Sequence, residues 1–474
     1  MSLISLKFLL GFLPVVAIGT HVLHDRFSAR AAQGWVLAAS LIFYAGSGIR
    51  FVPLLLASAA VNWMIGRALG APGFEQPVRR RIVVFGLCAN VVVLCVSKYT
   101  HFALDTVSHF VNGVTVLPVW GFPLGISFFT IAQVMYLVDC YERLIPPSSA
   151  FDHFTFVSFF PNVTAGPLER VKHFRSQLSQ LGGTSNRDER LARSIVLIAL
   201  GLFKKVVLAD SFARFADAGY GTVTTLSTAG AWLTSLAYAF QLYYDFSGYS
   251  DLAFGIAQLL GIELVQNFNS PFRAATMSEF WQRWHISLSN FIARYLFTPI
   301  LRTMGRATTR TATLAAVFSM TIAGFWHGPA WTYVTWGFMQ GVGIAAYQNW
   351  KRAKRPLPRP FDTMVTFAFV NLTMILFRAP SMATAWIVIS RLFPTARPLA
   401  IGDVLQRLPA ETMHVMIVPV LFGIVAAFAG PTAYEIASTF RPSRRAALAV
   451  VAVCGVSFLF MMSGTNTDFV YRAF

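Results

Sequence analysis

The sequence predicts an all-α integral membrane protein, and three features of its composition support this fold class. Of the 474 residues, 55% are hydrophobic and only 12% are charged, about half the charged fraction of a soluble domain. Apolar segments as long as membrane helices recur along the whole chain. The 38 lysines and arginines outnumber the 20 acidic residues and collect in short runs between these segments. Such runs are typical of cytoplasmic loops that face anionic lipid, which argues against a nucleic-acid surface.

The apolar segments follow one another from the first residues to the last. They cover 4–22, 34–47, 51–69, 82–97, 101–119, 121–139, 193–209, 228–244, 249–264, 312–327, 331–349, 361–377, 382–393, 413–430 and 446–462. A helix needs about 20 mostly apolar residues to cross a bilayer, and several of these segments are shorter. We therefore expect about eleven to thirteen crossings, with the other segments re-entrant or interfacial. The economical interpretation is a single integral membrane domain over residues 1–474.

One uncharged interval, between Arg310 and Lys351, has basic clusters on both sides. It is long enough for two short helices, and basic flanks on the cytoplasmic side would make it a hairpin. Its tip is Gly328-Pro329 in "FWHGPAW", and His327 comes directly before that tip. The sequence therefore predicts an ionisable ring at or beyond the middle of the membrane.

Two of the nine histidines have strongly aromatic surroundings. His285 follows Trp284 in "FWQRWHISLS", with Arg283 nearby, and His327 follows Trp326. An ionisable side chain inside a membrane protein is costly to leave unpaired, so each is a candidate functional residue. Each ring could instead donate a hydrogen bond to a neighbouring helix and lock the packing. Burial disfavours the imidazolium, and a neutral ring with one accepting nitrogen suits a general base.

Other kinds of site receive less support from the sequence. Neither histidine has a histidine or carboxylate three or four residues away, and no cysteine lies near, so we expect no metal. No phosphate-binding loop or Gly-x-Ser-x-Gly motif occurs, which argues against an ATP-driven pump or a serine hydrolase. Asp245 and Asp251 in "YYDFSGYSD" are compatible with a proton-coupled transporter. They could equally cap helices and pair with Arg273 or Arg283.

Two long motifs carry a family resemblance. They are "YYDFSGYSDLAFGIAQLLGIELVQNFNSPFRAATMSEFWQRWHISLSNFIARYLFTPI" (243–300) and "GFWHGPAWTYVTWGFMQGV" (324–342). Both resemble the bacterial branch of the membrane-bound O-acyltransferases, which includes alginate O-acetylation proteins and, more distantly, proteins that transfer D-alanine to teichoic acid. The resemblance implies a ring of helices around a thin core with a central tunnel, and a catalytic core at about residues 121–350.

The same resemblance implies an enzyme that moves an acyl group across the bacterial inner membrane. The donor would be a cytoplasmic thioester, acetyl-CoA or another acyl thioester, and no bound cofactor is expected. A periplasmic or extracellular acetyltransferase partner would complete transfer to a polysaccharide. The acceptor stays open among alginate, cellulose, peptidoglycan and other glycans. A transporter or flippase of lipid-linked sugar is the main alternative, although we find no inverted repeats, and a structural scaffold is a third.

By this resemblance His327 is the catalytic histidine and His285 a second essential one. Acyl transfer to a hydroxyl needs a base, a donor for the oxyanion and exclusion of water. We expect His327 to activate the hydroxyl and His285 to hold the donor or polarise its carbonyl. Substrate contacts are expected from residues near the two histidines: Trp326, Trp331, Trp284, Arg283, Ser287, Asn290, Asp245 and Tyr244.

Overall fold

The computed structural model describes residues 2–108, 111, 123–183, 186–353, 357–394, 402–408, 410–463, 467 and 469–470. All the regular elements among these residues are helices, which confirms the all-α prediction. Much of the predicted span at 101–119 lies outside the described residues. The chain divides into two compact units. Unit 1 takes residues up to 198 together with 252–265, and unit 2 takes 199–251 and the residues from 266 onward. The single-domain interpretation stays a prediction.

Unit 1 contains long apolar helices followed by shorter ones. They are α1 (Leu13–Arg26), α2 (Ala29–Gly48), α3 (Val52–Gly70), α4 (Gln76–Lys98), α5 (Thr100–Ser108), α6 (Ile126–Tyr141), α7 (Ala150–Ser158), α8 (Val171–Gln177) and most of α9 (Arg187–Phe203). A side chain on Gly66 of α3 would overlap the Tyr136 ring of α6. Glycine therefore lets these two helices approach closely.

Unit 2 contains the two aromatic motifs. Its helices are α10 (Asp210–Tyr220), α11 (Thr228–Leu260), α12 (Met277–Arg283), α13 (Ile286–Phe291), α14 (Thr298–Thr303), α15 (Thr309–His327), α16 (Trp331–Arg352), α17 (Phe361–Arg378), α18 (Met382–Arg391), α19 (Gly402–Leu405), α20 (Ala410–Ala429), α21 (Ala433–Ser438) and α22 (Arg444–Met462). The last residues of α11 belong to unit 1. Among the described residues, π-helical stretches adjoin α-helices at Lys7–Phe12 in unit 1 and at Lys204–Ala209 and Ile292–Phe297 in unit 2.

Five helical stretches in the described part of the chain are long and apolar enough to cross a membrane. They are Lys7–Arg26, Ala29–Gly70, Gln76–Lys98, Phe361–Arg378 and Arg444–Met462, and Ile126–Tyr141 and Met413–Ala429 are shorter apolar helices. The prediction of a helical membrane protein is thus confirmed in outline. The predicted count of crossings and the central tunnel stay predictions.

The prediction of two separate segments at 228–244 and 249–264 is wrong. One continuous helix, α11, runs through both. Asp245, between the two predicted segments, and Asp251, inside the second, are both paired with lysines: Lys205 Nζ lies 2.8 Å from Asp245, and Lys204 Nζ lies 2.6 Å from Asp251. Gly248 permits this pairing, because a side chain there would overlap the backbone of the π-helical stretch Lys204–Ala209. The suggested pairing of both aspartates with arginines is therefore also wrong.

Candidate active site

The predicted hairpin before and after Gly328 is confirmed. Thr308 caps the start of α15, and its hydroxyl accepts a hydrogen bond from the N–H of Thr311. The helix ends at His327, the backbone of Gly328 is extended, and α16 begins at Trp331. A side chain on Gly324 of α15 or Gly337 of α16 would overlap the backbone of the opposite helix. Glycine at both positions therefore lets the two helices pack backbone to backbone.

His327 lies in an aromatic cage inside unit 2, with 1% of its surface exposed. Its ring meets Trp326, Trp336 and Phe377 edge to face, with centroid distances of 4.9, 5.1 and 5.2 Å. As the last residue of α15, it lies at the negative end of the helix dipole. That end stabilises the positive charge that the ring would gain on accepting a proton. The surroundings thus exclude water while favouring a base.

His285 occupies a strained backbone position between α12 and α13. Its φ is 44° and its ψ is 54°, in the left-handed region that residues other than glycine rarely adopt. The strain is held in place by Asn267, whose carbonyl oxygen accepts the N–H of Ile286 at 2.9 Å. Strained non-glycine residues cluster at functional sites because the surrounding structure must over-determine them. This backbone is an observation, independent of the motif, that supports His285 as a candidate functional residue.

The hydrogen bonds of Asn267 fix the tautomer of His285. Asn267 Oδ1 lies 3.2 Å from the N–H of Ser287 and 2.9 Å from its hydroxyl, so this atom is the amide oxygen. The amide nitrogen lies 3.3 Å from the Ser250 hydroxyl. His285 Nδ1, 3.1 Å from the same oxygen, must therefore carry its proton and donate it. In the neutral ring the lone pair is then on Nε2.

His285 is fully buried, with none of its surface exposed, and it lies outside the helices long enough to cross a membrane. Burial lowers its pKa from 6.5 to about 3. The ring is therefore neutral near pH 7, as the sequence predicts. With Nδ1 donating, it offers Nε2 as a hydrogen-bond acceptor.

An aromatic link connects the two histidine motifs. The Trp281 ring of α12 lies 6.0 Å from Trp336, which in turn packs against His327. Trp281 Nε1 donates to Gln340 Oε1 at 3.2 Å, and Gln340 Nε2 donates to the Thr373 hydroxyl at 2.7 Å. These bonds hold Trp281 in place. Helix α12, which ends two residues before His285, is thus packed against the cage of His327.

A cavity of about 420 Å³ lies beside this link. Its lining is mostly apolar with a few amide and hydroxyl groups and includes Trp281, Ile286, Asn290, Ala316, Ser319 and Met320. Met320 and His327 are seven residues apart on α15, which places them on one helix face about two turns apart. The cavity therefore lies along the face of α15 that carries His327, and its chemistry suits an extended ligand with an apolar body.

Comparison with known families identifies the kind of chemistry. The model of the MBOAT, membrane-bound O-acyltransferase, family matches residues 81–384, which include both histidines. The chain belongs to the membrane-bound O-acyltransferase family. The resemblance inferred from the two motifs is thereby confirmed, and the protein is an acyltransferase.

Similar proteins within this family share most of the chain. The acyltransferase is 36% identical over 415 residues to a peptidoglycan O-acetyltransferase of Helicobacter pylori, covering 80% of this chain and 77% of the relative. It is 33% identical over 392 residues to a probable alginate O-acetylase of Azotobacter vinelandii, covering 81% and 77%. A teichoic acid D-alanyltransferase of Streptococcus thermophilus is 30% identical over 286 residues, covering 54% and 68%.

The predicted tryptophans of the acyltransferase occupy three different environments. Trp326 contacts His327 directly. Trp284 is buried among aromatic rings, with Phe268 and Phe280 at 5.2 and 5.6 Å. Trp331 begins α16 with 56% of its surface exposed. Trp336, five residues beyond Trp331 on α16, packs against His327. The predicted contact of all three with substrate stays a prediction.

The polar residues that the sequence predicts as substrate contacts lie in two places, near His285 and on helix α11. Ser287 bonds to Asn267, and Asn290 lines the cavity. Arg283 Nε donates to Glu279 Oε1 at 2.9 Å and Nη1 to the Asn269 carbonyl at 3.1 Å, which braces the turn before His285.

Two further predicted residues, Asp245 and Tyr244, lie on α11. Asp245 pairs with Lys205, and Tyr244 donates to the Gly423 carbonyl at 2.5 Å. Their assignment to substrate binding stays a prediction. Among the described residues, no group of three His, Cys, Asp or Glu side chains is placed to hold a metal ion.

Sequence reasoning missed Asn267, Trp281, Trp336, Gln340 and Phe377. Trp281 and Trp336 stand inside the quoted motifs, so their aromatic character was a usable signal. Asn267 lies in an extended segment 18 residues before His285, and no periodicity relates the two. Phe377 belongs to a different helix altogether.

Proposed function

We propose that this acyltransferase carries out O-acetylation of a polysaccharide outside the bacterial inner membrane, taking the acetyl group from a cytoplasmic thioester such as acetyl-CoA. Support comes from two relatives whose names specify O-acetylation of peptidoglycan and of alginate. The match to each spans about four fifths of this chain. Peptidoglycan is the first acceptor to test, because the relative named for it has the higher identity of the two.

The observation that carries this proposal is the placement of His327. A buried imidazole at the negative end of α15, caged by three aromatic rings, suits a general base that acts where water is excluded. In the proposed step, His327 accepts the proton of the acceptor hydroxyl while the oxygen attacks the thioester carbonyl. The new C–O bond forms, the C–S bond breaks, and the proton passes from the imidazolium to the departing thiolate. Exclusion of water disfavours hydrolysis of the thioester.

His285 has a second role in the proposal. Its neutral ring donates through Nδ1 to Asn267, so Nε2 is its accepting atom. In the proposal, this atom accepts a hydrogen bond from the acyl donor or from the acceptor hydroxyl. The cavity beside Trp281 and Ile286 has the volume and apolar lining to hold the acyl-bearing arm of a thioester. Asn290 and Ser289 offer hydrogen bonds to polar groups along such an arm.

Transfer to a long polymer is proposed to involve a second protein. The buried position of His327 fits a small acceptor group better than a glycan strand. A periplasmic or extracellular acetyltransferase partner would therefore present a hydroxyl to this site and then pass the acetyl group to the polysaccharide.

Mass spectrometry of the cell-surface glycans tests this function. A strain lacking the protein is compared with strains carrying the wild type or His327→Ala, at equal levels of membrane protein. We expect acetyl esters to disappear in the deletion strain and in the His327→Ala strain, with polymer yield unchanged. Loss of the polymer itself would instead support a flippase. Full ester content with His327→Ala would contradict the proposed role of the histidine.

A further inference from the structure

Thr467, Phe469 and Val470, near the end of the chain, make contacts inside unit 2. The Thr467 hydroxyl donates to Asp210 Oδ1 at 2.5 Å, and its carbonyl accepts from Lys205 Nζ at 3.0 Å. The N–H of Val470 donates to Asp245 Oδ2 at 2.8 Å. We call the described residues Thr467, Phe469 and Val470 the C-terminal strap.

The strap bonds to a cluster of buried charges. The Lys205 ammonium lies 2.8 Å from a carboxylate oxygen of Asp210 and 2.8 Å from one of Asp245. All three side chains are at most 2% exposed. One ammonium is shared by two buried carboxyl groups, and their remaining oxygens need further hydrogen-bond donors. The hydroxyl of Thr467 and the N–H of Val470 supply such donors, so the charge cluster and the strap stabilise one another.

The ring of Phe469 occupies the middle of the strap. It stacks on Tyr249 with a centroid distance of 4.2 Å and an interplanar angle of 14°. It also lies 6.3 Å from the ring of Phe246. Phe246 in turn meets the imidazole of His285 edge to face at 4.6 Å. A continuous row of rings therefore runs from Phe469 through Phe246 to His285.

Asp245, which bonds to the strap, and Phe246, which contacts His285, are adjacent residues on α11. Asp245 accepts a hydrogen bond from the N–H of Val470, and the Phe246 ring contacts the imidazole of His285. Asn267 fixes the tautomer of His285 through Nδ1, whereas Phe246 limits the rotation of the ring. Both constraints act on a residue whose backbone is already strained.

We propose that Phe469, seated by the bonds of the strap to Asp210, Lys205 and Asp245, is a positioning residue that holds Phe246 against His285 during acyl transfer. This inference rests on the role proposed above for His285. It assigns a function to a buried charge cluster that the proposed reaction does not itself use. Small displacements of positioned groups reduce rates strongly, so loss of Phe469 should act on turnover and not on donor binding.

Kinetics of the full-length protein in membrane vesicles test this assignment, with acetyl-CoA varied and ester formation measured. We expect Phe469→Ala to lower kcat by about 10- to 100-fold with KM for acetyl-CoA unchanged. Phe469→Tyr keeps the stacked ring and should restore most of the rate. Phe174→Ala is the matched control, because Phe174 is also a buried ring, 5.0 Å from the ring of Phe159, and belongs to unit 1. An equal loss per molecule in both alanine variants, or a change confined to KM, would overturn the assignment.

A double variant separates action through Phe246 from a general effect on folding. If Phe469 acts through Phe246, adding Phe469→Ala to Phe246→Ala should reduce kcat no further. If the fold-losses in kcat of the two single variants multiply in the double variant, the residues act independently, and this would contradict the inference.

A measurement that needs no activity keeps this inference distinct from the proposed function. His285→Cys is placed in a chain whose four cysteines, Cys88, Cys95, Cys140 and Cys454, are replaced by serine. We expect a small thiol reagent to label position 285 at least about 10-fold faster when Phe469→Ala is added, because the row of rings then opens. Unchanged labelling would overturn the inference. A wild type that forms no acetyl ester would refute the proposed function, and the labelling would still decide the role of Phe469.

Discussion

Asn267 holds His285 through two separate atoms: its side-chain oxygen accepts the imidazole Nδ1–H at 3.1 Å, and its backbone oxygen accepts the N–H of the following residue. One asparagine thus fixes both the tautomer and the left-handed backbone of this histidine. The partner that orients a functional histidine commonly matters nearly as much as the ring itself.

Replacement of Asn267 should therefore lower the rate of acyl transfer through its effect on the orientation of His285. We expect Asn267→Ala to lower the rate of acyl transfer by about 10- to 100-fold, the size of effect seen when an orienting partner of a histidine is lost. Asn267→Asp keeps an oxygen that accepts from Nδ1 and should retain more activity than Asn267→Ala. Initial rates of ester formation in vesicles measure both. Equal rates for the two variants would show that the acceptor oxygen is not what matters.

Loss of the His327 imidazole should remove the general base. A single base contributes about 10²- to 10⁴-fold to rate, so His327→Ala should fall below detection while the protein still inserts. His101→Ala is the control, because His101 is exposed on α5 and lies in unit 1. Ester formation and membrane protein level are measured together. Comparable losses in both variants would point to a general effect of histidine removal.

The hairpin of α15 and α16 should tolerate no side chain at Gly337. Gly337→Ala places a methyl group against the backbone of Met320 and Gly324, so we expect destabilisation of about 1–3 kcal/mol. Gly455→Ala on α22 is the control, because nothing lies within 4 Å of the added methyl group. Melting temperatures in detergent should fall for the first variant and stay level or rise for the second.

A larger side chain in the cavity along α15 should raise the KM for acetyl-CoA. Ala316→Phe projects a ring into it, and we expect the KM for acetyl-CoA to rise at least about 10-fold. Leu314→Phe changes an exposed position on the same helix and should leave KM unchanged. An unaltered KM for Ala316→Phe would place the donor elsewhere.

The burial of His285 should make stability depend on pH. Its pKa is about 3 in the folded protein against 6.5 ordinarily, so between these values the unfolded chain binds more protons. Stability therefore falls as pH decreases below 6.5, by up to about 1.4 kcal/mol per pH unit from this residue. His285→Gln lacks this contribution. Between pH 7 and pH 5, the melting temperature of the wild type should fall further than that of the variant, and parallel falls would contradict the assignment.

Much of the architecture follows from composition and periodicity. Long apolar runs separated by basic clusters predict membrane helices, because a helix pairs its own backbone groups and needs no partner to do so. The hairpin tip at Gly328-Pro329 was predictable for a local reason as well: a proline has no backbone N–H to donate, and the residue before it is disfavoured in the helical region. The error at α11 has a physical cause as well. Asp245 lies between the two predicted segments, and its partner Lys205, about 40 residues earlier in the chain, is outside any local window.

The candidate site also has some features that the sequence predicts and others that only the structure shows. His285, His327 and their motif neighbours are recognisable from the sequence, because ionisable rings among tryptophans are unusual in apolar segments. The sequence by itself thus determined the all-α membrane fold, the family and the two candidate histidines. Only the tertiary structure decided which nitrogen of His285 carries the proton, which rings enclose His327, and that Phe469 packs in line with Phe246 and His285. Those contacts join residues far apart in the chain, and they form only when folding brings separate helices and extended segments together.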